Sequence, residues 1–423
     1  MVDRADGLAW RDRTISVRGD RSHVDLVEYH VEERHNIQHC AIKRSHRLDT
    51  TSASLRRQSQ LTIHAMAATV KATWTKLASC GVLQRSSHSV AVAKGQAFVY
   101  GGELVPRQPR DGNVHTFDIG NAHGMPQRAL PTSIANRVSL TTTTAIPETL
   151  SSTSSGTPIP RVGTTLTALN DGNLYVFSGR GGEAMAPVDE NGALWSFNPR
   201  DSTWTLIEPA DPNRSVPEAR SYHASASDGQ SKIFIHAGCP EKGRLKDLWS
   251  FDITTRIWQR LRDPPGPERG GTSIAFADGR LWRMGGFDGK SELGGVIDWY
   301  HFTYKSWLSR QFPADGKTGP GARSVAALLP VTIGGQESLL TLFGEADPSS
   351  LGHAGAGNML QDAWVFGVGD AIWRKVEVES ADGEVPAPRG WFGAAVIDER
   401  SVVVVGGLGE DNGRLDDAWV LRF

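Results

Sequence analysis

Apolar residues along this chain come in short runs that glycine cuts off. Six of these runs stand at 97–102, 174–179, 233–238, 281–286, 339–344 and 402–407. Downstream, polar and apolar residues alternate in five Trp- or Tyr-bearing cassettes, at 192–204, 247–258, 298–307, 362–373 and 416–423. Alternation with a period of two marks strands, and no stretch sustains the 3.6-residue period of a helix. The runs are β-branched or aromatic and are bounded by Gly, Asp, Asn or Pro, as strands are. Each apolar run follows an arginine: Arg85, Arg161, Arg220, Arg269, Arg323 and Arg389. The pattern predicts six units of four strands. Strand a follows the arginine, strand b is the glycine-ended run, strand c is the cassette, and strand d begins near a second tryptophan (Trp204, Trp258, Trp307, Trp373).

The sixth unit stops at Phe423, inside strand c. Before the first arginine stands Trp74-Thr-Lys-Leu77, which reads as a strand d with no unit of its own. The simplest arrangement lets 74–77 complete the sixth unit, which leaves no free sheet edge to recruit other chains. Strand d of the first unit lacks a tryptophan and is placed at 137–140. Four antiparallel strands repeated every roughly 50 residues, with diglycines, describe a propeller blade of the kelch type. Over about residues 70–423 the chain resembles kelch-repeat β-propellers. The expected fold is all-β: a six-bladed kelch-type β-propeller closed by the N-terminal strand.

Composition narrows the picture. The chain has 423 residues and a formal net charge of −2, which gives no electrostatic case for nucleic acid or an anionic membrane. No apolar run is long enough to span a bilayer. Cys40, Cys80 and Cys239 are odd in number and lack metal-type spacing, which suggests free thiols and a reducing, cytoplasmic setting. Residues 1–65 are rich in Arg and His and lack periodicity; they read either as a disordered extension or as an artefact of start-codon choice. A chain beginning at Met66 is then expected to fold with unchanged thermal stability. Residues 121–157, with Thr141–Thr144 and a serine-rich run, read as a mobile insertion in a domain spanning 66–423.

In a four-stranded meander the b–c loops and the d–a connections share one face. The six arginines and the loops 103–113, 180–192, 239–246, 286–296, 345–361 and 408–415 therefore belong to the same mouth. Loops on a rigid scaffold carry function, and arginines at a channel mouth suit an anion. The plainer reading is that each repeat arginine braces backbone carbonyls or an aspartate. His88 and His223 read as packing residues of strand a and His236 as a core histidine; Asp247, Asp298, Asp362 and Asp416 read as loop braces. Glu103 and Glu183 follow glycines as Glu345 does and are expected near the mouth. The fifth loop is long and glycine-rich and carries Glu345, Asp347, Ser349 and His353. Two carboxylates and an imidazole suit Fe(II) or another divalent metal.

Three stretches carry a narrower resemblance: 101–111, 344–357 and Pro388-Arg389-Gly-Trp391. Within the kelch proteins they look like the plant specifier proteins: nitrile-specifier, epithiospecifier and thiocyanate-forming. That family's iron pattern is Glu-x3-Asp-x3-His. Glu345 and His353 keep the outer spacing, Ser349 stands at the central position, and Asp347 lies two residues before it. The resemblance implies Fe(II) as cofactor at Glu345, Asp347, Ser349 and His353, with Glu345 and His353 catalytic. It implies a glucosinolate aglucone (a thiohydroximate-O-sulfate) as substrate, released by an upstream thioglucosidase and diverted to nitrile- or thiocyanate-type products. By motif order, Arg161 and Arg220 would hold the sulfate and Trp391 the variable side chain, with Glu103 at the same mouth. The competing reading is a kelch-type protein-interaction scaffold without catalysis, and a third is a specifier descendant with a changed substrate or lost metal. A monomer or homodimer is expected, with no nucleic-acid or membrane partner.

Overall fold

The computed structural model describes residues 69–119, 140–143, 146–147, 156–350 and 355–423. Those from 69 onward belong to one compact unit that spans Ala65–Phe423. Among the described residues there is no α-helix and no helix long and apolar enough to cross a membrane.

The third unit shows the plan. Ala224–Ser227, Lys232–Gly238, Leu245–Asp252 and Ile257–Leu261 form an antiparallel sheet in chain order. The fourth unit repeats it with Ser273–Ala277, Arg280–Met284, Val296–His301 and Ser306–Gln311. The second is built on Thr165–Ala168, Leu174–Phe177, Leu194–Asn198 and Thr203–Ile207. In the first, Ser86–Ala93, Gln96–Val105 and Val114–Asp118 are followed by Leu140–Thr143. Ala327–Ile333, Gln336–Leu342, Ala363–Gly367 and Trp373–Ser380 make the fifth. Gly393–Asp398, Ser401–Val405 and Asp417–Arg422 continue beyond it. The early strand Val70–Ser79 pairs antiparallel with Asp417–Arg422 and parallel with Trp373–Ser380, which joins these last strands and the fifth unit into one eight-stranded sheet.

Register explains why the cassettes need their tryptophans. Trp204 pairs with Phe197, Trp258 with Phe251, Trp307 with Tyr300 and Trp373 with Phe366. Trp74 meets Leu421 in the equivalent place. Each of these large side chains reaches back to the preceding sheet. Trp258 lies 5.5 Å from Phe177, Trp204 5.3 Å from Tyr100, and Trp74 5.8 Å from Phe343. The b strands are buried along nearly their whole length, as in Leu174–Phe177 and Ser401–Val405, because a sheet neighbour covers each face. Six apolar clusters result, one between each pair of consecutive sheets and one between the last and the first.

The a strands begin on a ring of backbone hydrogen bonds. Gly163 N–H donates to Ser87 C=O, Tyr222 to Gly163, Gly271 to Tyr222, Val325 to Gly271, Trp391 to Val325, and Ser87 to Trp391. All six residues have positive φ, between 45° and 59°. This conformation is unusual for Tyr, Trp and above all Val; it persists because the ring over-determines it.

One expectation shifts. Strand d of the first unit is Leu140–Thr143, where Leu140 faces Phe117, so it shares only Leu140 with 137–140. Three of the threonines assigned to the mobile insertion lie in this strand, because β-branched threonine fits a pleated sheet despite its polarity. The reading of 1–65 and, within the insertion 121–157, of 121–139, 144–145 and 148–155 falls outside the described residues.

Candidate functional site

The six repeat arginines are fixed inside their own units. Each Nη1 donates to a carbonyl at the end of strand b: Gly101, Ser178, Ala237, Gly285, Phe343 and Gly406. Each Nε donates to a carbonyl two or three residues upstream. In five units a carboxylate completes the clamp: Asp111, Glu190, Asp247, Asp362 and Asp417. The cassette tryptophans Trp195, Trp249, Trp364 and Trp419 donate to four of the same carboxylates. Arg323 and Trp364 hold the Asp362 carboxyl below its ordinary pKa against the opposing effect of burial, and Arg389 and Trp419 do the same for Asp417. In the sixth unit the brace is therefore Asp417; Asp416 instead accepts from Ser79 Oγ.

The fourth unit departs from this plan. Val296 stands at the cassette position of Asp247, and Asp298 pairs with Arg283 of strand b. Among the described residues Arg269 has no carboxylate partner. Burial, with the Arg283 charge adding, pushes its pKa down to about 9.

The mouth is lined by two further sets of positions. The residues on the hydrogen-bonded ring include Tyr222 and Trp391, whose side chains meet edge to face at 5.2 Å. The residues just after the glycines of strand b are Glu103, Arg180, Cys239, Phe287, Glu345 and Leu408. Each pairs beside the start of strand a: Glu103 with Ser86, Arg180 with Val162, Cys239 with Ser221, Phe287 with Gly270, Glu345 with Ser324, Leu408 with Gly390. A cavity of about 160 Å³ opens among them; Glu103, Arg107, Arg180, Tyr222, Trp391 and Arg414 contribute to its wall. A larger hollow of about 620 Å³ lies at the edge of the third unit, between Arg214, Lys246, Arg260, Asp263 and Glu268. It mixes both signs of charge and takes in none of the ring positions.

Charge in the smaller cavity is unbalanced. Arg414 Nη2 donates to Glu103 Oε1 at 3.1 Å, a pair that joins the last unit to the first. Glu103 Oε2 accepts the backbone N–H of Arg107 at 2.7 Å. Arg414 Nε is buried without a partner. Arg180 is held by three neutral oxygens, Ser221 Oγ, Met185 C=O and Pro240 C=O. Three guanidiniums therefore face one carboxylate.

Beside the cavity stands an acidic group. Glu345 is 6% exposed and its Oε1 accepts the Gly357 N–H at 2.7 Å. Burial pushes its pKa up, and the Gly357 N–H and Trp391 side chain pull it back down in part. Glu292 accepts from Ser324 Oγ at 3.1 Å, while its Oε2 is buried without a partner. Burial, with the charges of Glu345 and Asp347 adding, raises its carboxyl to about 7.

The structure thus brings Glu103 and Trp391 to the cavity and sets Glu345 on the same face. Arg161 and Arg220 are fully buried, engage Glu190 and Asp247, and are not among the cavity-lining residues. Glu183 is exposed and the position equivalent to Glu345 is held by Arg180. Asp347 has a left-handed backbone, φ 51°. His353 lies outside the described residues. Among those described, no cluster of three His, Cys, Asp or Glu is arranged to hold a metal. Sequence reasoning missed Arg107, Arg180, Arg414 and Glu292. Arg180 had a signal, since it follows Gly179 as Glu345 follows Gly344.

Consecutive four-stranded antiparallel sheets with loops gathered round a charged mouth define a propeller-like repeat protein with a ligand-sized opening. The KLHDC2/KLHL20/DRC7 Kelch-repeats domain matches residues 88–344, and the chain belongs to the kelch-repeat family. It is 24% identical over 384 residues to the N-(sulfonatooxy)prop-2-enimidothioate sulfolyase of Thlaspi arvense, covering 84% of this chain and 98% of that protein. It is 26% identical over 268 residues to putative adagio-like protein 2 of Oryza sativa subsp. japonica, covering 61% of this chain and 37% of that protein. Kelch-like protein 40 of Xenopus laevis is 29% identical over 118 residues, 28% of this chain and 17% of its own length. The chain thus spans nearly all of the first relative and a minor part of the other two.

Proposed function

We propose that this protein is a six-bladed kelch-type propeller over residues 66–423, closed by Val70–Ser79 as the outer strand of the last blade, and that its mouth processes a small sulfated anion. The observation that carries the reading is the cavity with three guanidiniums and one carboxylate. A guanidinium gives charge-assisted, bidentate hydrogen bonds to sulfate, and partial burial strengthens them. The Thlaspi relative is named for lysis of a sulfated thioimidate. By extension, the substrate class here is a thiohydroximate-O-sulfate or related anion, diverted toward nitrile- or thiocyanate-type products. Arg180, Arg107 and Arg414 would take the charge, while Arg161 and Arg220 hold the blades. Trp391 and Tyr222 would offer apolar surface to the organic part and shed water from it.

Among the described residues no three His, Cys, Asp or Glu are arranged to hold a divalent cation such as Fe(II), so a cation here would need side chains to draw together. Glu292 Oε2 is an orphaned buried oxygen, and its carboxyl already feels Glu345 and Asp347. Glu345, Asp347 and Glu292 are the described carboxylates such a cation would draw on. When bound, it would supply Lewis acidity or redox capacity at the substrate sulfur.

Product analysis with a glucosinolate and a thioglucosidase tests the reading. Nitrile or thiocyanate products that require this protein support it; isothiocyanate alone refutes it. Anaerobic metal analysis tests the cation separately, with stoichiometric iron in the wild type expected to disappear in Glu345→Ala. A scaffold role has one observation of its own: Leu104 and Val105 are 40% and 49% exposed on the hairpin beside the mouth. Loss of a copurifying partner in Leu104→Ser/Val105→Ser, with sulfate binding intact, would favour that second reading.

A further inference from the structure

The cavity also has an apolar side. Met185 and Leu408 line it together with Trp391. Met185 is buried, 8% exposed, and its backbone is left-handed at φ 48°. Any non-glycine residue is strained there, so a long side chain at this point calls for an explanation. Two hydrogen bonds fix its backbone. Its N–H donates to Gly182 C=O at 3.2 Å, and its carbonyl accepts from Arg180 Nη1 at 2.8 Å. The Met185 backbone is thereby tied to the guanidinium that would take a ligand's charge, and its side chain belongs to the same cavity wall. Arg180 is held in turn by Ser221 and Pro240.

The cavity, about 160 Å³, is well below the roughly 300–1,000 Å³ of pockets for drug-sized ligands. We infer that Met185 is a specificity-determining residue: it stops the apolar end of the cavity and restricts the ligand to an organic sulfate with a short apolar substituent. The charge sits on Arg180 and its neighbours, and the substituent lies against the thioether, Leu408 and the indole of Trp391. A thioether is soft and adapts to small differences in shape, so it limits length more than it selects branching. This inference rests on the reading of the mouth as an anion site.

The test is calorimetric titration of the full-length protein with inorganic sulfate, ethyl sulfate and hexyl sulfate at constant ionic strength. Met185→Gly relieves the backbone strain and so keeps the fold; Met185→Leu keeps the bulk. The wild type is expected to bind ethyl sulfate roughly tenfold tighter than hexyl sulfate, the scale on which an apolar pocket discriminates length. Met185→Gly should abolish or reverse that preference, Met185→Leu should retain it, and inorganic sulfate should still bind both. Equal binding of the two alkyl sulfates by the wild type, or an unaltered preference in Met185→Gly, overturns the role of Met185 and leaves the anion site standing. Failure of all three sulfates to bind the wild type overturns the anion site and the inference with it.

Discussion

Arg220 and Arg180 belong to neighbouring units, and their surroundings could hardly differ more. Arg220 is fully buried; it donates to Glu218 C=O, Ala237 C=O and both oxygens of Asp247, which also accepts from Trp249. Its charge is neutralised within its own unit. Arg180 meets three neutral oxygens and, among the described residues, no carboxylate partner. The first kind of arginine recurs at the same place in every unit, and five of the six have an acid. The second kind stands just after the strand b glycine, a position whose residue differs from unit to unit. A buried charge with a built-in counter-ion serves the fold, and a mouth charge without one is what the proposed anion site requires.

The difference can be broken experimentally. Arg220→Met should cost about 2–3 kcal/mol of folding stability, since partly buried Asp247 would keep only its Trp249 donor and the Ala237 and Glu218 carbonyls would lose theirs; chemical denaturation reads this directly. A loss below about 1 kcal/mol would show that the clamp is not structural. Acid should act on the same set. Burial holds His88 and His223 at about 3, with Arg85 and Arg220 adding to the effect, and holds His236 well below its ordinary value. In the unfolded chain these histidines protonate near pH 6.5. The unfolded state therefore binds more protons between pH 6.5 and 3, so stability falls as pH is lowered through that window. Each histidine contributes up to about 1.4 kcal/mol per pH unit. Denaturation midpoints measured from pH 7 to pH 4.5 should drop steeply, and a flat profile would contradict their neutral burial.

Arg180→Gln should cost less stability than Arg220→Met, because no carboxylate is orphaned, and weaken sulfate binding by about tenfold, as loss of one charge-assisted pair implies. Unchanged sulfate affinity would erase the distinction between the two kinds of arginine. Arg269→Met should cost at most about 1 kcal/mol, because no carboxylate is orphaned. The smallest effect is a gain. Val296→Asp places an acid where Asp247, Asp362 and Asp417 stand in their own units, and should raise stability by about 0.5–1 kcal/mol through a pair with Arg269. A loss would mean that the fourth unit has closed around Arg283 and Asp298 instead.

Much of the fold was legible because its signals are local. Glycine-ended runs such as 233–238 became strand b, and Trp258 and Trp373 landed on strand d opposite the cassette aromatics. Trp74 was readable as a strand d without a unit, and its strand pairs with Asp417–Arg422. Leu140–Thr143 was misplaced by three residues because its edge carries no tryptophan and its threonines look polar. The mouth was harder to read. Arg161 and Arg220 drew attention through their repetition, yet their acids stand 29 and 27 residues downstream, and only folding brings them into contact. Arg414 and Glu103 meet across 311 residues.

By itself the sequence determined the strand rhythm and the all-β, kelch-repeat class, since each depends on period and parity between near neighbours. Tertiary structure alone decided which guanidiniums are paired with a carboxylate and which meet only neutral oxygens. That outcome depends on desolvation and on distances between side chains far apart in the chain, and no local pattern records either.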